Sequence, residues 1–399
     1  MPQVAVALSV MLIVLLSQIV IPIPHQPKRA SVRFRQEPRA SAQRLILRKD
    51  HVGLNFQFLR LVSTAAGVAQ PPNESPAETK ESSLVGFQYR FAAMGTMVEF
   101  KAFGDSESQV TEAFKEAEKK VLELAAILTD YDPKSETRQL ATSATSEPKP
   151  VSDSLWQVLQ ASEDWYRRTD GAFDASLGSL TKLWRKYRRS SKVPTEEEIL
   201  TAKKLSGWRY VQLYSTQQSV RLEKEGVSFD FGAIGKGYIV DAAFDLLREH
   251  GLGCCLVNIS GNMRCGNAPP GRKGWRIQVS PLEENGSPLR QIQLSNESIA
   301  TSGDLWQFVV MEGVRRSHIL DPRTGYGVPG PIAATVVSQN ATDADACATA
   351  ACIMNPADLE ALLAEFPRIS ILRASKSSQG EVTTLEFGDF PKPMDVDRE

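Results

Sequence analysis

Residues 230 to 238 read Asp230-Phe231-Gly232-Ala233-Ile234-Gly235-Lys236-Gly237-Tyr238. Three glycines and a lysine thus join a strand-like run, Val227 to Phe231, to an amphipathic helix expected over Ile239 to His250 and ended by Gly251. Such a junction either brings backbone N–H groups close to a phosphate or is an ordinary glycine-rich turn. It is neither G-x-x-x-x-G-K-[ST] nor G-x-G-x-x-G. The same alternation runs through the flanking chain. Phe87 to Phe103 predicts two strands around Ala93-Met94-Gly95-Thr96. Ser106 to Leu128 repeats Val110, Ala113, Ala117, Val121, Leu124 and Ile127 at helical spacing. Ser152 or Asp153 caps a helix through Arg168, with Trp156, Leu159 and Trp165 assigned to the core. Cys254 to Ile259 and Trp275 to Val279 read as strands, and Gly286 to Ser298 and Val309 to Leu320 as hairpins. Ile332 to Ser338 precedes a last helix starting near Asp343. The pattern predicts a mixed α/β (α+β) domain.

At 399 residues the chain exceeds an ordinary single domain, which points to one large domain with appendages. Its net charge of −1, with both signs interleaved, argues against nucleic acid as a partner. The five cysteines, at 254, 255, 265, 347 and 352, form no C-x-x-C pair and no zinc-finger spacing, and their odd number rules out a full disulfide framework. Residues 1–69 read as a membrane-anchor or export region. Val4 to Ile23 is apolar and long enough to span a bilayer at ~1.5 Å per residue. Arginines and lysines follow it from Lys28 to Lys49, and a second apolar stretch, Leu54 to Val68, ends in small residues. Basic region, apolar run and small-residue exit make a signal-peptide pattern whose start lies near Leu45 or Leu47. The positive-inside rule applied to the first stretch alone keeps its downstream side cytoplasmic; export to the extracytoplasmic face of a bacterial envelope is the favoured reading. No cysteine follows either stretch in the manner of a lipoprotein anchor. Residues 70–83, rich in Pro, Ser and Glu, read as a linker, and the domain occupies 84–399.

The densest chemistry lies in Ser317-His318-Ile319-Leu320-Asp321-Pro322-Arg323-Thr324-Gly325 and in Thr342 to Thr349. Of four histidines, His25 and His51 precede the domain and His250 ends a helix, which leaves His318 as the candidate base, against a structural role. Asp345 and Thr349 stand four apart on one helix face, in its first turn. One carboxylate and a neutral oxygen suit Mg²⁺, whereas the plainer reading is a helix capped by Thr342 or Asp343. Asp241 either accepts from a ribose hydroxyl or faces solvent. Asp170-Gly171-Ala172-Phe173-Asp174 by itself is a turn.

Taken in order, these segments resemble the ApbE-type flavin transferases, the FAD:protein FMN transferases. The resemblance covers roughly Phe87 to Met354. It rests on Met94-Gly95-Thr96, Tyr131-Asp132-Pro133 with Ser135-Glu136, Asp170 to Asp174, Asp230 to Tyr238 with Asp241, Thr301-Ser302-Gly303-Asp304, His318 to Gly325, and Ala344-Asp345 with Thr349. It implies a T-fold-like domain that binds Mg²⁺ and, as substrate, FAD, and that transfers FMN to a Thr or Ser hydroxyl of a target flavoprotein with release of AMP. The implied metal ligands are Asp345, Thr349 and the Ala233 backbone oxygen, and the implied base is His318. Met94 and Tyr131 would contact the flavin, Lys236, Asp241 and Thr301 the nucleotide; Asp174 belongs to the same cofactor-binding set, and Asp321 would orient the site. Two positions depart from the family pattern. Ser260-Gly261-Asn262 stands where Gly-Gly-Asp is usual, which alters the charge near the nucleotide, and Leu305-Trp306 follows Asp304 where an aromatic often comes first. Two other activities fit the same residues: a Mg²⁺-dependent FAD pyrophosphatase, and a non-catalytic FAD-binding protein.

Overall fold

The computed structural model describes residues 84–394 apart from 189–192, 285, 312 and 378. The membrane or export segments and the linker lie outside the described residues. No helix among the described residues is long and apolar enough to cross a membrane.

The described residues open with β1 (Val85–Ala93) and β2 (Thr96–Gly104), a hairpin closed between Ala93 and Thr96. Met94 and Gly95 take φ of 53° and 71°, the primed turn that matches strand twist. Helix α1 (Glu107–Leu128) is capped by Ser106, whose Oγ accepts the Gln109 N–H, and it buries Val110, Ala113, Phe114, Ala117, Val121 and Leu124. Next come α2 (Glu136–Ser143), the short β3 (Lys149–Pro150), α3 (Asp153–Arg168), α4 (Gly178–Arg188) and α5 (Glu196–Lys204). Ser152 caps α3, and Trp156, Leu159 and Trp165 are buried as expected. β4 (Val211–Tyr214) and β5 (Ser219–Leu222) lead to α6 (Gly235–Glu249), then β6 (Cys255–Ile259), β7 (Asn262–Cys265), β8 (Trp275–Val279), β9 (Arg290–Leu294) and β10 (Glu297–Gly303). The last third holds β11 (Phe308–Met311), β12 (Val314–Leu320), β13 (Gly327–Pro329), β14 (Ile332–Ser338), α7 (Ala341–Ala351), α8 (Pro356–Glu365), β15 (Ser370–Lys376) and β16 (Val382–Phe387).

Eight strands form one sheet in the order β1-β2-β6-β7-β10-β14-β15-β16, with every neighbouring pair antiparallel. Helices α1, α6 and α7 pack on one face. The β8–β9 hairpin covers the other, where Trp275, Ile277, Ile292 and Leu294 meet Leu256, Ile299 and Val337. β14 is therefore buried along its whole length, with Ala334 and Val336 in the helix-side core and Val337 in the hairpin-side core. The strand β12 belongs to a second sheet, β11-β12-β13, braced by Leu180, Trp184 and Ile199 from α4 and α5. All five cysteines are buried and free. Burial pushes the Cys254 thiol up to about 11 and those of Cys255 and Cys352 to about 12, and it raises Cys265 and Cys347 as well.

Four expectations are corrected. Val227 to Phe231 joins no ladder; Ser228 makes one isolated bridge to Leu177, because Phe229 and Phe231 turn into the core while Asp230 N–H donates to the Ala175 carbonyl. Helix α6 begins four residues before Ile239, its start hidden by glycines that score poorly as helix formers. Gly286 to Ser298 is no hairpin: β9 pairs back to β8, and β10 crosses to the main sheet. Helix α7 begins at Ala341, before Asp343, and α8 follows it; Asn340 is the cap, its Oδ1 accepting the Asp343 N–H at 2.7 Å.

Helices α6 and α7 touch backbone to backbone at Gly237, where an added Cβ would lie 2.2 Å from the Ala341 carbonyl oxygen and 2.8 Å from the Thr342 Cα. Gly237→Ala should cost about 3 kcal/mol, the upper range for overpacking, because the obstacle is backbone. A urea midpoint equal to wild type would contradict that contact.

Candidate functional site

The two helices cap each other. Asp345 of α7 accepts the Gly237 N–H of α6 at 3.1 Å. Asp241 of α6 accepts the Ala341 and Thr342 N–H groups, both at 2.8 Å, and the Thr342 hydroxyl at 2.6 Å. The Arg264 guanidinium supplies a fourth donor to Asp241, at 3.0 Å. A carboxylate has about four lone-pair sites, so Asp241 is saturated by the protein and neither faces solvent nor keeps an acceptor for a ribose. Burial raises its pKa against those donors.

This exchange of caps carries the glycine-rich loop to Asp345. The Asp345 side chain is 3% exposed, and the Lys236 ammonium stands 3.5 Å from its Oδ1 while donating to the Gly232 carbonyl at 2.5 Å. Thr349, one turn further along α7, shares a hydroxyl hydrogen bond of 2.9 Å with Ser302 and lies 3.3 Å from the Asp345 carbonyl. The Ala233 carbonyl, just before α6, accepts no backbone hydrogen bond from outside regular elements among the described residues. One carboxylate, one hydroxyl and one open carbonyl make an oxygen set that suits a hard cation such as Mg²⁺. Among the described residues no cluster of three or more His, Cys, Asp or Glu is arranged for a metal, which sets the site apart from a zinc centre.

His318 projects from β12, its Nδ1 3.2 Å from the Gln307 carbonyl oxygen. Surrounding protein disfavours the charged imidazole, and the nearby Arg188 and Lys236 cations add to this, so its pKa is pushed down to about 4. Solvent access to the exposed ring works against the burial part of that shift. In either case the ring is neutral at pH 7, as a base must be. The Asp230 carboxylate acts in the opposite sense on His318, which brings the glycine-rich loop and β12 to one place.

Sequence reasoning missed the group that anchors this cleft. Arg185 of α4 reaches Asp130 at 2.5 Å and Asp230 at 2.6 Å, and its guanidinium lies 4.5 Å from the ring centre of Tyr131. Tyr131 is 68% exposed, an open aromatic face fixed from behind by a cation. Burial and the neighbouring Asp230 charge raise the Asp130 pKa, and Arg185 opposes both. Met94 is exposed at the β1–β2 turn. Thr301 shares a 2.8 Å hydroxyl hydrogen bond with Thr335 beside Ser302. Two other expected residues are occupied inside the protein. Asp174 accepts from the Ser176 N–H and hydroxyl and the Trp208 N–H, and Asp321 takes three donors from Arg323. At the departure from the family pattern, Asn262 is 2% exposed and its Nδ2 has no partner among the described residues. Trp306 is 69% exposed. Hollows of about 390 and 420 Å³ contain none of these residues, and in the first the Arg264 charge is already paired with Asp241 and Asp245.

A mixed α/β fold in which a glycine-rich loop meets a buried carboxylate, with an imidazole held largely neutral near the same loop, is the arrangement of an enzyme. A model of the ApbE family matches residues 94–372, and the chain belongs to that family. Curated relatives include the FAD:protein FMN transferases of Klebsiella pneumoniae, 28% identical over 65% of this chain and 79% of that one, and of Treponema pallidum, 30% identical over 58% and 68%. The crystal structure of the ApbE protein from Thermotoga maritima matches with a TM-score of 0.66 at 27% identity, covering 75% of this chain and 96% of that one. The apo flavinyl transferase ApbE of Pseudomonas stutzeri matches with 0.66 at 25%, covering 76% and 94%.

Arg185→Met leaves Asp130 and Asp230 facing each other. Burial and the Asp230 charge then raise the Asp130 pKa unopposed, so the native state holds a proton more readily than the unfolded chain and stability falls as pH rises. The variant should lose about 2 kcal/mol at pH 7, less than for a fully buried pair because Arg185 is 22% exposed, and should recover part of it near pH 4. A deficit independent of pH in thermal melts would contradict the arrangement.

Proposed function

We propose that this protein is a Mg²⁺-dependent FAD:protein FMN transferase. It would move FMN from FAD to a Ser or Thr hydroxyl of a target flavoprotein and release AMP. The observation that carries this reading is the meeting of Asp345, Thr349 and Lys236 with a neutral His318 around one loop. The names of the relatives support flavin transfer as the chemistry. From the apolar and Arg-rich amino-terminal segments we infer an envelope location with the domain on the extracytoplasmic side.

Asp345, Thr349 and the Ala233 carbonyl would hold the ion, whose charge offsets that of the pyrophosphate and of the departing AMP. Lys236 would donate to phosphate oxygens at the start of α6, where the helix dipole favours anions. Tyr131 presents its open face, and Met94 its side chain, to the flavin ring. His318 takes the proton from the acceptor hydroxyl as that oxygen bonds to the FMN phosphorus. The phosphoanhydride bond breaks, and its electron pair leaves on the AMP phosphate.

The purified full chain with FAD, Mg²⁺ and a flavoprotein bearing a Ser or Thr acceptor should give AMP together with flavin fluorescence that survives denaturing electrophoresis. AMP and free FMN without acceptor would make the protein a pyrophosphatase, and bound FAD with neither product a carrier. His318→Ala should lower transfer by about 10²- to 10⁴-fold, the usual span for a general base, and leave FAD binding intact. Asp345→Asn should cripple transfer in Mg²⁺. Because the His318 pKa lies near 4 and below the ordinary 6.5, the acid limb of kcat/KM should fall well under pH 6.5. A midpoint well above 6.5 would remove His318 as the titrating base.

A further inference from the structure

The Lys236 ammonium sits among oxygens of the kind a hard cation takes. Its Nζ donates to a backbone carbonyl, that of Gly232, and stands 3.5 Å from the Oδ1 of a carboxylate that is 3% exposed. It is the one ion pair of Asp345 among the described residues, while Asp345 Oδ2 is taken by the Gly237 N–H. Lys236 itself is 31% exposed and sits on a flexible four-carbon stem, so it has room to swing out.

We propose that Lys236 is a tethered counter-ion that a divalent cation must displace from Asp345, and that its departure frees the ammonium for a phosphate. This rests on the reading of Asp345 as a metal ligand. A buried carboxylate left without a counter-charge is costly, so the lysine stabilises the metal-free fold. The same pairing subtracts from metal affinity, because the two cations repel at one carboxylate. By linkage, an anion that draws the ammonium away tightens metal binding, and the metal tightens anion binding by the same factor. Metal and nucleotide would thus load together.

The test uses the full chain stripped with EDTA and titrated with Mn²⁺, free Mn²⁺ being followed by electron paramagnetic resonance. Lys236→Gln keeps a donor for the Gly232 carbonyl and deletes the charge; Lys236→Met deletes both. Both variants should bind Mn²⁺ more tightly than wild type, by a factor within the range of about 5- to 150-fold seen for coupled sites. Metal-free, they should melt below wild type, and Mn²⁺ should raise their Tm by more. Equal or weaker Mn²⁺ binding by both variants, with Asp345→Asn still abolishing binding, would overturn the role of the lysine and leave the metal reading standing. Mn²⁺ binding indifferent to Asp345→Asn would overturn both.

Discussion

Two aspartates, Asp241 and Asp345, each cap the helix that the other belongs to, across more than a hundred residues of chain. Helix starts leave N–H groups that must find acceptors, and here each start finds them on its neighbour. The close approach this requires explains the lack of a side chain at Gly237. It also sets the height of Asp345 relative to the glycine-rich loop. The helix pair lies on a central sheet whose β14 is covered on both faces, so the frame beneath the cleft has little freedom to shift.

Charge is distributed in the cleft with equal economy. Arg185 neutralises two carboxylates at once and backs an aromatic ring, while Lys236 answers the buried Asp345. Burial, with the Arg188 and Lys236 cations near, favours the neutral form of His318. An active cleft of this kind is assembled from groups whose individual burial is unfavourable and whose mutual placement offsets the cost.

Elements with local periodicity were legible in the sequence. The stripe on α1, the cap at Ser152 and the Met94-Gly95 turn all fell where spacing put them, because their causes lie within four residues. The pairing of Asp345 with Thr349 was legible for the same reason. Arg185 was not, since its partners lie 55 and 45 positions away and leave no local trace. The same holds for Asp241: its helical position suggested an outward or ligand-facing side chain, and only the return of the chain at Ala341 supplies the donors that claim it. The start of α6 was masked by glycines selected for closeness of packing at the expense of helix propensity.

The five thiols carry a consequence of their own. Exchange with a disulfide requires a thiolate that can reach its target, and these sulfurs are enclosed and held in the protonated form at neutral pH. The folded state therefore needs no oxidase to close a bond and offers one no thiolate. Once this core has formed, the redox poise of its surroundings, glutathione-rich or oxidising, has little to act on.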